Sequence, residues 1–356
     1  MRISHKFKKR LLRTRVIRKI DQVPIEDFNK IFPRVPENYY FFKTLDESGF
    51  DQFSFYYIVV YANKQLVGFA PCFTVNYSKI FFGLFSVKAL CCGIPMGQGQ
   101  VGISQSYSGI LEAIQQRMEA LARKVHASII AFKDFDQSYD DLLKPLLKDE
   151  FLKINGLPMT RLDLGFTNFE DYLKTLSGAT RYDFRRKIKE SLAVTIESNL
   201  KKTLDEETLN EVYSLYLQNV ESHHTNSEIV PKEFFRLISK NMPQEAKFFL
   251  FRINGKLAAF TFCLVSKSVL IDYYLGLDYT LAHEFHLYFI KFKEITNWCL
   301  AHGIKTYEMG ATGYEPKRRL NFDLIPVYLY VKGRHKILRP FLKCLCFLLK
   351  FKKTII

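Results

Sequence analysis

Residues 246–333 constrain this chain more than any other stretch. KFFLFRI (247–253) is apolar apart from its two basic residues, Asn254-Gly255 follows, and KLAAFTFCLV (256–265) returns. An Asn-Gly step between two strand-like runs predicts a tight hairpin, because both residues tolerate the positive φ that such a turn demands. SVLIDYYLGL (268–277) is a third strand, Phe285–Leu300 has the character of a helix, and the stretch closes with KTYEMGATGYEPKRRLNFDLIPVYLYV (305–331). The expected order is strand, strand, strand, helix, strand, polar loop, strand.

The chain has 356 residues, 48% apolar and 25% charged, which is globular composition with room for two ordinary domains. Its net charge of +16 is concentrated at the ends. Residues 1–19 hold nine Lys/Arg and residues 332–356 hold eight, with no acid in either, so the body between them is close to neutral. A polyanionic partner is therefore expected to meet the termini, 1–19 and 336–356. RPFLKCLCFLLKFKK (339–353) allows a helix with a wide apolar face and a basic rim, suited either to a lipid interface or to docking on the protein core. KIFFGLFSVKALCCGIPM (79–96) is interrupted by glycine, lysine and proline, and is expected to form buried strands rather than a membrane span. The seven cysteines are odd in number and lack CxxC spacing. With a basic N-terminus that has no continuous apolar core, they point to a reducing, cytoplasmic setting.

The first half mirrors the second. YIVVYANKQLVGFAPCF (57–73) aligns with FFLFRINGKLAAFTFCL (248–264) at a constant offset of 191, matching Asn63 with Asn254, Leu66 with Leu257, Phe69 with Phe260 and Cys72 with Cys263. Each half continues to a helix and a short strand, the first through a glycine-rich loop, GQGQVG (97–102). A tandem duplication follows. The expected division is a basic arm (1–19), a first lobe (20–165), a second lobe (166–335) and a basic amphipathic helix (336–356). Residues 138–151 are expected to be helical, as are 180–192, after a helix that begins at Asn168.

With these residues in hand, the chain resembles the GNAT superfamily, and within it the FemAB-like and BioF-type acetyltransferase-like proteins built as two tandem lobes. RYDFRRKIKES (181–191) is similar to their Arg-rich helix, 275–310 to their strand, loop and helix, and GATGYEPKRRLNFDLIPVYLYV (310–331) to their G-x-x-x-Y-x-x-K segment and following strand. The resemblance implies an α+β fold of two GNAT-like lobes with mixed sheets. It also implies an enzyme that transfers an acyl or aminoacyl group, from acyl-CoA or aminoacyl-tRNA, to an amine on a cell-envelope precursor. The chain departs from the usual pattern where the CoA pyrophosphate would meet a glycine-containing turn: Asp278–Glu284 has no glycine and an extra carboxylate. His283 in that loop, or Gly97, Gly99 and Gly102 in the first lobe, are the candidates to meet a cofactor.

An attacking amine must be neutral and aimed, and the carbonyl oxygen needs donors. Lys317 is the first candidate to hold an anionic group; Arg181, Arg185 and Arg186 follow, the first two sharing a helix face. Each is equally read as a solvated cation. Tyr314 is a candidate proton donor to the leaving group. Asp272 and Glu308 sit in or beside apolar strands, where desolvation makes a carboxylate a better base and where a salt bridge is the competing explanation. His223 and His224 follow a helix and are candidates to touch substrate. His283 and His286 stand three apart, not four as in HExxH, so no metal is expected. Two alternatives stay open: a GNAT fold that only binds, and an RNA-associating protein whose basic termini grip tRNA.

Overall fold

The computed structural model describes residues 12–80, 85–191, 196–201, 203–222, 229–335, 340 and 342. In chain order the elements begin with β1 (Leu12–Ile17), α1 (Ile25–Ile31) and α2 (Tyr39–Glu47), then β2 (Ser54–Ala62), β3 (Gln65–Ile80), β4 (Phe85–Cys92) and β5 (Gly102–Ile103). There follow α3 (Ile110–Lys124), β6 (Ile129–Asp136), α4 (Asp140–Leu143), β7 (Leu152–Asn155), β8 (Met159–Asp163), α5 (Phe169–Thr175), α6 (Gly178–Ser191) and β9 (Ile196–Lys201). The rest comprises α7 (Glu206–Ser222), α8 (Lys232–Asn241), β10 (Ala246–Ile253), β11 (Lys256–Val265), β12 (Val269–Leu277), α9 (Tyr279–Glu284), α10 (Leu287–Ala301), β13 (Thr306–Met309), α11 (Tyr314–Arg319), β14 (Asp323–Ile325) and β15 (Val327–Gly333).

The described residues fall into two compact units, one drawn from 1–33, 53–155 and 328–356, the other from 34–52 and 156–327. The first sheet runs β1-β2-β3-β4-β6-β15-β7 with β5 beside β3, and the second runs β9-β10-β11-β12-β13-β8-β14. In both, the fourth strand from the hairpin edge pairs parallel with the fifth: β4 with β6 and β12 with β13. The last strand among the described residues, β15, belongs to the first sheet, while β8 belongs to the second, so neither unit is contiguous in sequence. Each unit is a mixed sheet with helices on it, and the two are tandem GNAT-like lobes.

The internal repeat is visible in the backbone. Asn63 and Asn254 open the two hairpin turns with φ of 49° and 50°, each followed by a second left-handed residue, Lys64 or Gly255. Two pairs before each turn the register slips, between Val60 and Tyr61 in one hairpin and between Phe251 and Arg252 in the other, again 191 residues apart. In the first unit, α3 covers one face of the sheet over Ile58, Val60, Ala70 and Leu90, and Phe28 and Phe32 of the α1 segment meet Phe69 edge-to-face on the other. In the second, α5, α6 and α10 pack over Phe249, Phe251, Cys263 and Leu270. Phe234 and Phe235 of α8 pack against Phe262 on the opposite face.

Local differences have local causes. Residues 138–151 form α4 flanked by 3-10 turns instead of one helix, because Pro145 has no N–H to continue it. The loop expected after Gly310 contains α11, and residues 12–17 of the basic N-terminal stretch form edge strand β1. Residues 1–11 and most of 336–356 lie outside the described residues; Pro340 is exposed and Leu342 is buried. Among the described residues no helix is long and apolar enough to cross a membrane.

Candidate active site

In the second unit, pairing between β12 and β13 starts at Val269↔Thr306 and ends at Asp272↔Met309, where β13 stops while β12 runs on to Leu277. The sheet therefore has a notch beside residues 273–277. At the same level the register between β11 and β12 shifts: Phe262 faces Tyr274 and Cys263 faces Asp272, leaving Tyr273 as the extra residue. Such a bulge re-aims a side chain, and here it brings Tyr273 against Phe262 and Phe41.

Asp272 points to the α10 side. Its carboxylate accepts from Lys291 Nζ of α10 at 2.6 Å and from the Tyr307 hydroxyl at 3.2 Å, and both members of the ion pair are almost wholly buried. Burial, reinforced by the charge of Asp272, pushes the Tyr307 phenol well above its usual range. A pair like this is held by mutual compensation, and removing one member strands the other.

Glu308, one residue beyond Tyr307, points to the opposite face. Its Oε1 accepts from Nε and Nη2 of Arg161 at 2.9 and 2.7 Å. On that side Glu37, the residue before the Asn38 cap of α2, accepts a hydrogen bond from Tyr273. Glu37 is buried, and desolvation raises its pKa above the ordinary carboxylate value, with the charge of Glu308 adding to the rise. Desolvation and Glu37 likewise push Tyr273 up.

Lys317 sits beyond the end of β13. Thr312 and Gly313, at φ of 74° and 58°, turn the chain into α11, and Lys317 Nζ donates to the Gly310 carbonyl at 2.6 Å. Burial lowers its pKa to about 8; the Asp272 charge opposes the shift and the Lys291 charge adds to it. Three of the side chains expected from the sequence thus lie near the end of β13, Asp272 and Glu308 on opposite faces of the sheet and Lys317 beyond the strand's last residue. Tyr314 lies on the same short helix, but its hydroxyl donates to the Pro158 carbonyl at 3.0 Å.

The other expected residues are placed elsewhere or held by neighbours. On α6, Arg181 donates to the Lys174 carbonyl at 3.3 Å, Arg185 pairs with Glu170 at 2.7 Å, and Arg186 pairs with Asp183 at 2.8 Å and with Glu190. His283 is exposed on α9, its ring beside Tyr279. The amino end of α9 is occupied by Asp278, which caps the Leu281 N–H at 3.3 Å and pairs with Lys256 at 2.8 Å; that lysine holds the Asp278 carboxyl below its usual range. In the first unit, Gly99 donates its N–H to the Asp134 carbonyl, and a Cβ there would lie 2.3 Å from the Lys133 oxygen. Gly102 packs against the Ile31–Phe32 backbone, and Gly97 lies in the same loop. His223 and His224 lie outside the described residues. Among the described residues no group of three His, Cys, Asp or Glu side chains is placed to hold a metal.

Two participants escape a reading of the sequence. Lys291 had a signal: Leu287, Ile295 and Cys299 recur around it every four residues, so a lysine sits in the middle of an apolar stripe. Glu37 had a fainter one, a lone carboxylate between a proline and a run of aromatic residues.

The family model for FemAB-like proteins, described as peptidoglycan biosynthesis/recognition, matches residues 100–330. No curated protein sequence matches the chain. Among solved structures, FemX is similar at 11% identity over 88% of this chain and 96% of its own, with a TM-score of 0.57. The C-terminal domain of a putative lysylphosphatidylglycerol synthetase from Agrobacterium fabrum is similar at 12% identity over 87% and 91%, with a TM-score of 0.55. A tandem GNAT protein from the clavulanic acid biosynthesis pathway is similar at 11% identity over 91% and 99%, with a TM-score of 0.53. At such identities the likeness is one of fold.

Proposed function

The chain belongs to the FemAB-like family, and from that premise we propose that it transfers an aminoacyl or acyl group to an amine on a cell-envelope precursor. The observation that carries this reading is the notch where β13 stops and β12 continues, with Lys317 buried at its end. A flat activated carbonyl fits beside a strand whose neighbour has ended, where backbone N–H groups can meet the developing oxyanion. In the reaction the amine nitrogen bonds to the carbonyl carbon, the donor's ester or thioester bond breaks, the amine gives up a proton, and the leaving group gains one. Lys317, with a pKa of about 8, is partly neutral near neutral pH and suits that exchange. Asp272 and Lys291 set its field from the α10 side. Arg161 holds Glu308, and Glu37 with Tyr273 offers a second titratable group on the other face.

The amino end of α9 bears on the donor. A CoA pyrophosphate needs the free N–H groups and positive end of a helix, and in the second unit Asp278 occupies that place with its own negative charge. This favours an aminoacyl ester, as on tRNA, over a CoA thioester. Location follows from charge: the cationic termini hold the protein at the cytoplasmic face of an anionic membrane, where envelope precursors are presented.

The test is transfer of labelled acyl group from acetyl-CoA and, separately, from mixed aminoacyl-tRNA to an amine-bearing peptidoglycan precursor. Lys317→Met is expected to lower turnover by about 100-fold or more while the protein stays folded, and to remove the rise in rate through about pH 8, since only the neutral lysine accepts a proton. Wild-type turnover in this variant would overturn the assignment of Lys317. No transfer by the parent protein from either donor would leave a binding module.

A further inference from the structure

The first unit carries a cleft of about 800 Å³ on its α3 side, remote in sequence from the groups above. Arg15, Arg18, Lys88, Arg117, Lys124 and His126 line it, together with Tyr56, and no Asp or Glu does. Among the described residues none of these cations is within ion-pair distance of a carboxylate. Glu119 of α3 is instead paired with Lys332 at 2.7 Å. Two of the guanidinium groups are fixed by neutral partners. Arg117 donates to Thr14 Oγ1 at 2.8 Å and to the Thr14 carbonyl at 2.7 Å, and Arg18 lies 4.2 Å over the Tyr56 ring. A concave surface with one sign of charge focuses the field on an incoming anion, and guanidinium forks held in place lose little freedom in binding phosphate.

We propose that this cleft seats the phosphate of an anionic phospholipid headgroup. The inference rests on the membrane reading above and supplies its missing specific contact. Both cationic segments join the fold beside the cleft. Residues 1–11, with five Lys/Arg and no acid, run directly into β1, whose residues 14–16 line it. At the other end, Arg334 donates from its backbone N–H to the Ser128 carbonyl at 2.9 Å and from Nε to Ala127 at 2.8 Å, immediately after lining residue His126. The segment that follows, 336–356, mixes six Lys/Arg with a majority of apolar residues and has no acid. A polynucleotide backbone asks only for the cations; a lipid interface uses the apolar residues of that sequence as well.

The experiment is co-sedimentation of the full-length protein with vesicles of phosphatidylcholine, alone or with about one-third phosphatidylglycerol, with glycerol 1-phosphate as competitor and bulk tRNA as the other polyanion. The parent is expected to bind only the anionic vesicles. Arg18→Glu with Lys124→Glu, both at exposed side chains, is expected to weaken binding by about tenfold or more at an unchanged melting temperature, and glycerol 1-phosphate to compete with the parent. If the double variant melts lower, Lys88→Gln alone must still weaken binding by about threefold. Parent-like vesicle binding by the cleft variants, or no competition by glycerol 1-phosphate, overturns the cleft and leaves membrane association by the termini standing. Failure of the parent to bind anionic vesicles overturns both, and binding of tRNA in place of vesicles overturns the lipid assignment.

Discussion

The two units share a hairpin, a turn and a bulge, yet they treat the end of the parallel strand pair in opposite ways. In the first, β4 stops at Cys92 and the chain folds back over the gap: Gly93 donates to Pro71, Gly99 to Asp134, and Lys133 Nζ to the Pro95 carbonyl at 3.1 Å. The glycine-rich loop fills the notch with backbone. In the second, β13 stops, β12 continues, and the chain turns aside into α11. The interior differs at matching places too. Opposite Cys72 the first unit has Cys92, and opposite Cys263 the second has Asp272. The fifth residue of the 15-residue α3 is Ile114, and that of the 15-residue α10 is Lys291. One copy keeps an apolar contact where the other keeps a buried ion pair. Such pairs rarely add stability, and this one stands in the copy whose β12 runs on past its neighbour.

That contrast can be broken most severely at the ion pair. Lys291→Ile or Asp272→Cys alone strands a buried charge and is expected to cost about 3–5 kcal/mol, read from urea unfolding. The double substitution installs the first unit's pair and is expected to recover most of that loss while leaving transfer activity low. A double variant no more stable than the singles would show that the two interiors are not equivalent.

A smaller effect is expected at the plugged notch. Gly99→Ala places a methyl against the Lys133 carbonyl and the Phe135 ring and should cost about 1–3 kcal/mol with the donor KM unchanged. A raised donor KM at parental stability would instead make the glycine loop a cofactor cradle.

The smallest effect is expected at Glu37. Its folded pKa lies above the unfolded one, so the folded state takes up a proton more readily and stability rises as pH falls through that raised value. Glu37→Gln removes the charged form. Its melting temperature at neutral pH should be equal to or a few degrees above the parent's, about 1 kcal/mol, and that carboxylate's contribution to the pH dependence should vanish. A lower melting temperature that keeps the parental pH dependence would place the charge of Glu37 outside the energetics of the fold.

Much of the frame was legible in residues alone. The hairpins follow from Asn63-Lys64 and Asn254-Gly255 because positive φ is a local demand, and α3, α5 and α10 follow from apolar spacing and from the Asn168 cap, whose side chain accepts from Asp171 N–H at 3.0 Å. The offset of 191 announced the repeat that the backbone bulges reproduce. Less of the site was legible. Asp272, Glu308 and Lys317 stand out as polar residues in or beside strands, but their pairing and surroundings depend on Lys291, Arg161 and Glu37, which lie elsewhere in the chain.

What the sequence determined by itself was whatever depends on neighbours along the chain: turns, caps, helix faces, the repeat, and the concentration of charge at both ends. Only the tertiary structure decided which β-strand joins which sheet, where each parallel strand pair ends, and which ionisable groups are stripped of water. Desolvation and pairing are set by atoms far apart in the chain, and no local pattern encodes their distance.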